Sequence, residues 1–87
     1  MKIKKEFVLR TIDGINIVVA VGKEASAHNS IITLNDTGAF LWRLLETGCE
    51  RNTLAEKLCD EYDISADIAA KDTDEFLTKL EAAGILE

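Results

Sequence analysis

Apolar side chains recur at every second position in the first third of the chain. Residues 7–12 (FVLRTI) and 15–21 (INIVVAV) are rich in β-branched residues, and in the second run Ile15, Ile17, Val19 and Val21 alternate with Asn16, Val18 and Ala20. A period of two is that of a strand whose side chains point in turn to its two faces. Asp13-Gly14 separates the runs. This dipeptide tolerates positive φ at both central positions of a type I′ turn, so the pattern predicts a tight antiparallel hairpin. The small and polar residues 22–29 (GKEASAHN) read as a loop, and residues 30–34 (SIITL) resume β character as a short third strand.

From Asn35 onward the period changes to that of helices. Asn35 is a candidate N-cap, because its side-chain oxygen can accept an orphan amide of the first turn. Phe40, Leu41, Leu44 and Leu45 then form a stripe that ends before Gly48. Trp42 stands off this stripe and is expected to pack beneath the strands. Thr53-Leu54-Ala55-Glu56 has the spacing of a capping box, followed by Leu54, Ala55, Leu58, Cys59 and Tyr62 as a second stripe. Ser65 can cap a third helix, the longest, whose stripe of Ala69, Thr73, Phe76, Leu77 and Leu80 runs to Gly84 as the glycine after the helix end. The expected order is βββααα, an α+β fold: a three-stranded antiparallel sheet followed by three helices. Proline is absent and no linker or repeat interrupts the chain, so residues 1–87 are read as one domain.

Composition narrows the function. A hydrophobic fraction of 47% with 30% charged residues suits a folded soluble domain. Sixteen Asp and Glu against ten Lys and Arg give a net charge of −6, which repels a phosphate backbone and disfavours nucleic acid as a partner. Lys2, Lys4 and Lys5 cluster at the start and read as a solubilising tail. That start has no apolar core of signal-peptide length, and no run of about 18 apolar residues exists, so a cytoplasmic protein without a membrane partner is expected. Cys49 and Cys59 are too few for a disulfide framework and lack CxxC spacing, so reduced, half-buried thiols are expected.

Catalytic chemistry finds no support in the side chains. The sole histidine, His28, lies in the loop between the second and third strands among small polar residues, which suits a surface position better than a base or ligand. Zinc needs three or four ligands at compact spacing, and Cys49, Cys59 and His28 do not supply it, so no metal is expected. The glycines form neither GxGxxG nor GxxxxGK, so no phosphate loop or cofactor is expected. The many carboxylates of the helices fall mostly off the apolar stripes and face water, Asp72 excepted, which sits one turn before Phe76 on the flank of its stripe. Glu75 and Lys79 stand one turn apart and are expected to form an intrahelical ion pair.

Three segments in order, LNDTGAFLWRLLETG from Leu34, TLAEKLCDEYDIS from Thr53 and DTDEFLTKLEAAGIL from Asp72, resemble the coenzyme PQQ synthesis protein D (PqqD-like) family. The similarity covers roughly two-thirds of the chain; the strands match only in pattern. The resemblance implies a winged helix-turn-helix module, a RiPP recognition element, that is not an enzyme. It would act as a peptide chaperone, binding the leader segment of a ribosomally made precursor peptide and presenting it to a modifying enzyme. Family members add the leader as a strand beside the third strand, in a groove walled by the third helix. Here that implies Ser30, Ile31, Ile32, Thr33 and Leu34 at the edge, with Asp72, Glu75, Phe76 and Lys79 along the helix. Ile31 and Thr33, on one pleat, are the strand's candidates for groove side chains, whereas Phe76 and Leu80 read equally as groove or core. An unpaired edge offers backbone donors and acceptors to an extended peptide, which is physically compatible with that role. With no catalytic partner in the same 87 residues, the modifying enzyme is expected in trans. A radical S-adenosylmethionine maturase is common beside the family, and a lasso-type protease or cyclase is the alternative.

Two other readings share the architecture. A winged-helix DNA-binding regulator needs Lys and Arg on its recognition helix, yet the second helix sets Lys57 against Glu56, Asp60 and Glu61. A purely structural module would self-associate through the open edge, and a monomer or weak homodimer is expected here.

Overall fold

The computed structural model describes residues 1–22 and 32–87. Asp13 and Gly14 both adopt positive φ, +51° and +78°, and between them they close the hairpin of β1 (Phe7–Ile12) and β2 (Ile15–Ala20). The pairing sets Ile12 opposite Ile15 and Phe7 opposite Ala20, and the amide of Val21 continues the ladder to the Glu6 carbonyl at 2.7 Å. β3 (Ile32–Leu34) pairs antiparallel with β2, giving the sheet order β1-β2-β3 with β3 at an edge. Of the strand expected over 30–34, Ser30 and Ile31 lie outside the described residues, as does His28.

Three helices follow: α1 (Asp36–Glu46), α2 (Arg51–Tyr62) and α3 (Ala66–Ala82). Two of their caps are those the side chains predict. Asn35 Oδ1 accepts the Gly38 amide at 2.8 Å, and Ser65 Oγ accepts the Ile68 amide at 3.2 Å. At the end of α3 the Ile85 amide bonds the Leu80 carbonyl and the Gly84 amide bonds the Glu81 carbonyl, both at 3.0 Å, with Gly84 at φ +71°. This is a Schellman motif, and its apolar pair, Leu80 and Ile85, is buried in the core.

The capping box at Thr53 is not formed. α2 begins three residues earlier than that box implies, with Glu50 as N-cap and the Leu54 amide on the Glu50 carbonyl at 3.0 Å. Thr53 therefore lies inside the first turn, where it has no orphan amide ahead of it to accept. What holds this end instead is tertiary: the Arg51 guanidinium grips the Asp74 carboxylate of α3 with two parallel hydrogen bonds, Nε to Oδ1 and Nη2 to Oδ2, the latter at 2.8 Å. A fork of this kind fixes direction as well as distance.

The core lies between the sheet and the helices. It gathers Phe7, Val18 and Leu34 from the strands, Leu41, Trp42 and Leu45 from α1, Leu54 and Leu58 from α2, and Ala69, Phe76, Leu77 and Leu80 from α3. Trp42 is wholly buried, as expected, and it displaces the stripe of α1: Gly38, Leu41, Trp42 and Leu45 face inward, whereas Phe40 and Leu44 are half-buried on the flank. Phe40 meets Tyr62 of α2 edge to face, centroids 5.7 Å apart. The buried positions of α3 are those of its predicted stripe.

The first residues are not a free tail. Ile3 bridges Leu86, the Lys4 amide bonds the Ile85 carbonyl at 2.9 Å, and the Glu87 amide bonds the Lys2 carbonyl at 3.0 Å. Ile3 and Leu86 both pack on the core, so the lysines ride on a backbone tied down by apolar burial. Cys49 and Cys59 are free and half-buried, and the Cys59 thiol donates to the Ile64 carbonyl.

Candidate functional site

α1 begins immediately after β3, so the edge strand and the first turn of a helix meet at Leu34-Asn35. α3 runs alongside. The three elements enclose an open cavity of about 320 Å³ lined by Leu34 and Asn35, by Thr37, Gly38 and Leu41, and by Asp72, Glu75, Phe76 and Lys79. Its floor is apolar and buried: Leu34, Leu41 and Phe76 are each less than 8% exposed. Its lip is polar. Asn35 Oδ1 also accepts the Thr37 hydroxyl at 3.0 Å, which fixes both side chains at the mouth.

Gly38 keeps the floor open. A Cβ there would stand 3.1 Å from Asn35 Oδ1 and 3.3 Å from the Leu34 Cβ, so a larger residue would push on the cap and on the strand end together. The three charged side chains of the lip all come from α3. Asp72 is half-buried, whereas Glu75 and Lys79 are exposed.

All four residues nominated on the third helix, Asp72, Glu75, Phe76 and Lys79, thus converge with Leu34. Phe76 serves as core and cavity floor at once. The expected Glu75–Lys79 ion pair is not formed; among the described residues the ion pairs are Met1–Glu50 and Arg51–Asp74. An exposed pair at this spacing gains only ~0.2–0.5 kcal/mol, too little to hold two long side chains together. Two nominated strand residues lie elsewhere. Ile32 packs on the core, and Thr33, opposite Ile17, is exposed on the far face of the sheet. With a period of two, Leu34 reaches the cavity and Thr33 cannot. Asn35, Thr37, Gly38 and Leu41 were not nominated. Their signal was the absence of any linker between strand and helix, which forces the first turn of α1 into the same cleft.

These features define a class of protein: a βββααα domain whose edge strand is paired on one side and opens on a cleft with an apolar floor and a polar lip. Among the described residues no group of three His, Cys, Asp or Glu side chains could hold a metal ion, and no helix is long and apolar enough to cross a membrane. The family model of coenzyme PQQ synthesis protein D (PqqD) matches residues 17–86, and the chain belongs to that family.

Two solved structures share the fold. TbiB1 in complex with the TbiA(beta) leader peptide is 25% identical with a TM-score of 0.79, the similarity covering 100% of this chain and 95% of that one. Lasso peptide synthetase B1 complexed with the leader peptide is 22% identical with a TM-score of 0.76, covering 99% and 95%. A search of curated protein sequences finds no significant match.

Proposed function

We propose that this domain binds the leader segment of a ribosomally made precursor peptide as an added strand on β3, and presents it to a modifying enzyme supplied in trans. The observation that carries this reading is the junction of the edge strand with the cavity beneath α3. A peptide paired to β3 would place alternate side chains over Leu34, Leu41 and Phe76. Family membership, and the leader peptides bound to TbiB1 and lasso peptide synthetase B1, support it. The domain contributes recognition, and the chemistry belongs to its partner.

Magnitudes say where affinity resides. About three main-chain hydrogen bonds at ~0.5–1.5 kcal/mol each fall well short of the ~8 kcal/mol of micromolar binding. Each leader side chain buried in the cleft adds ~1.5–3 kcal/mol, less the cost of ordering the peptide. Side chains in the cavity therefore decide which peptide is held, and Asp72, Glu75, Phe76 and Lys79 are the residues that select it.

The test is an amide NMR titration of the labelled protein with synthetic leader segments of neighbouring precursor genes, and with a generic DNA duplex as control. Saturable shifts at Ile32–Leu34, the first turn of α1 and α3 are expected. Shifts with DNA alone, centred on α2, would make the protein a regulator. The surface of α2 argues against that outcome, since exposed Lys57 stands among exposed Glu56, Asp60 and Glu61.

A further inference from the structure

The sheet has a second face, and no part of the described fold covers it. In the registers of the two ladders, Phe7, Leu9, Asn16, Val18, Ala20, Ile32 and Leu34 share the face turned to the helices. Val8, Ile12, Ile15, Ile17 and Val19 share the opposite face, with Arg10 and Thr33. Val21 extends it by alternation. Ile12, Ile15 and Val21 are 58%, 53% and 40% exposed, and Val8, Ile17 and Val19, though half-buried, do not pack against the core. Contiguous apolar patches on the surface of a monomer are often functional.

We infer that this outer face is the docking surface for the modifying enzyme. The inference rests on the leader-binding reading for the partner's identity. Position chooses that occupant: the face is continuous with the leader site. Thr33 lies on it at the β3 edge, so a strand added there would turn every second side chain to the outer face, beside Thr33 and Ile17. An enzyme seated on the face would meet domain and leader together, and each would then tighten the binding of the other. The complementary surface is an apolar patch with an acceptor opposite Arg10, ringed by basic side chains to suit a chain of net charge −6.

The test uses the purified modifying enzyme encoded with this chain and a synthetic leader peptide from the neighbouring precursor gene. The variant Ile12→Thr/Ile15→Thr/Val21→Thr changes only exposed positions and keeps β-branched side chains; Ile68→Thr, 51% exposed on α3, is the control. The triple variant is expected to hold leader within about twofold of wild type and to bind enzyme at least about tenfold more weakly, as loss of several apolar interface contacts together does. Ile68→Thr should change neither. Enzyme affinity within twofold of wild type in the triple variant overturns the inference. So does a wild-type dimer, in sedimentation equilibrium, that the triple variant dissolves, since the face then belongs to a second copy. If circular dichroism shows the triple variant unfolded, Arg10→Glu carries the same enzyme titration. Failure of wild type to bind any leader refutes the proposed function separately, because the enzyme titration without peptide still reads the outer face.

Discussion

At the scale of single residues, the caps and the buried polar atoms make the sharpest expectations. Asn35 Oδ1 holds the Gly38 amide at 2.8 Å at the mouth of the cavity. Asn35→Ala should cost ~1 kcal/mol, the usual loss for an N-cap, read as a lowered urea midpoint with unchanged slope. Thr73 is wholly buried and its hydroxyl has no hydrogen-bond partner among the described residues. Valine has the same shape and the same branching at Cβ. Thr73→Val should therefore stabilise the fold by ~1 kcal/mol in the same urea experiment, because it removes a desolvated donor without opening a cavity. A loss of stability would mean that the hydroxyl is satisfied in solution, by a buried water for instance. Trp42 Nε1 is also buried without a partner among the described residues, yet the indole is the largest side chain of the core, so its removal would be dominated by lost packing.

At the scale of elements, the question is what holds α2 against α3. Thr53 has capping-box spacing but sits inside the first turn, so Thr53→Ala should change stability by less than ~0.5 kcal/mol. The Arg51–Asp74 fork does the anchoring. Its hydrogen bond first, then its charge, holds the Asp74 carboxyl below its ordinary value. In the unfolded chain Asp74 titrates near ~3.9. A carboxyl whose folded pKa is depressed stabilises above the unfolded value, and that contribution is lost as pH falls from the unfolded value through the folded one, because in that window the unfolded state binds a proton that the folded state does not. The stability gap between wild type and Asp74→Asn should thus be widest at neutral pH and close below pH ~3.9, in urea melts recorded across that range. Both side chains are exposed, so high salt should shrink the gap as well.

At the scale of the whole molecule, a leader that binds only the folded state must stabilise it. At a hundredfold excess over its Kd the gain is ~2.7 kcal/mol, a rise of roughly 10–20 °C in Tm for a domain of this size. A leader that produces NMR shifts without raising Tm would be binding the unfolded chain as well. The acidic balance acts at this scale too. A net charge of −6 repels nucleic acid over the whole surface, whereas the cleft selects by the few side chains that line it.

What the chain alone determined is local. The hairpin turn at Asp13-Gly14, the caps at Asn35 and Ser65, the stop at Gly84 and the stripe of α3 each depend on residues within a few positions of one another, and each was legible for that reason. The four cleft residues of α3 were legible through family resemblance, since spacing alone left Phe76 equally a core residue. Tertiary structure decided the rest. β2 by itself offers Ile15, Ile17 and Val19 as the more apolar set, yet Asn16, Val18 and Ala20 face the helices. The register explains the choice: Arg10 stands opposite Ile17, so burying that face would desolvate a guanidinium, whereas the other face brings in Phe7, Leu9, Ile32 and Leu34. Asn16 is tolerated there because its Oδ1 accepts the Thr11 hydroxyl at 2.9 Å. The start of α2 was likewise set by Asp74, 23 residues from Arg51 along the chain. Periodicity is a property of one segment, but the face that is buried is decided by the sum over all three strands and the helices that pack on them.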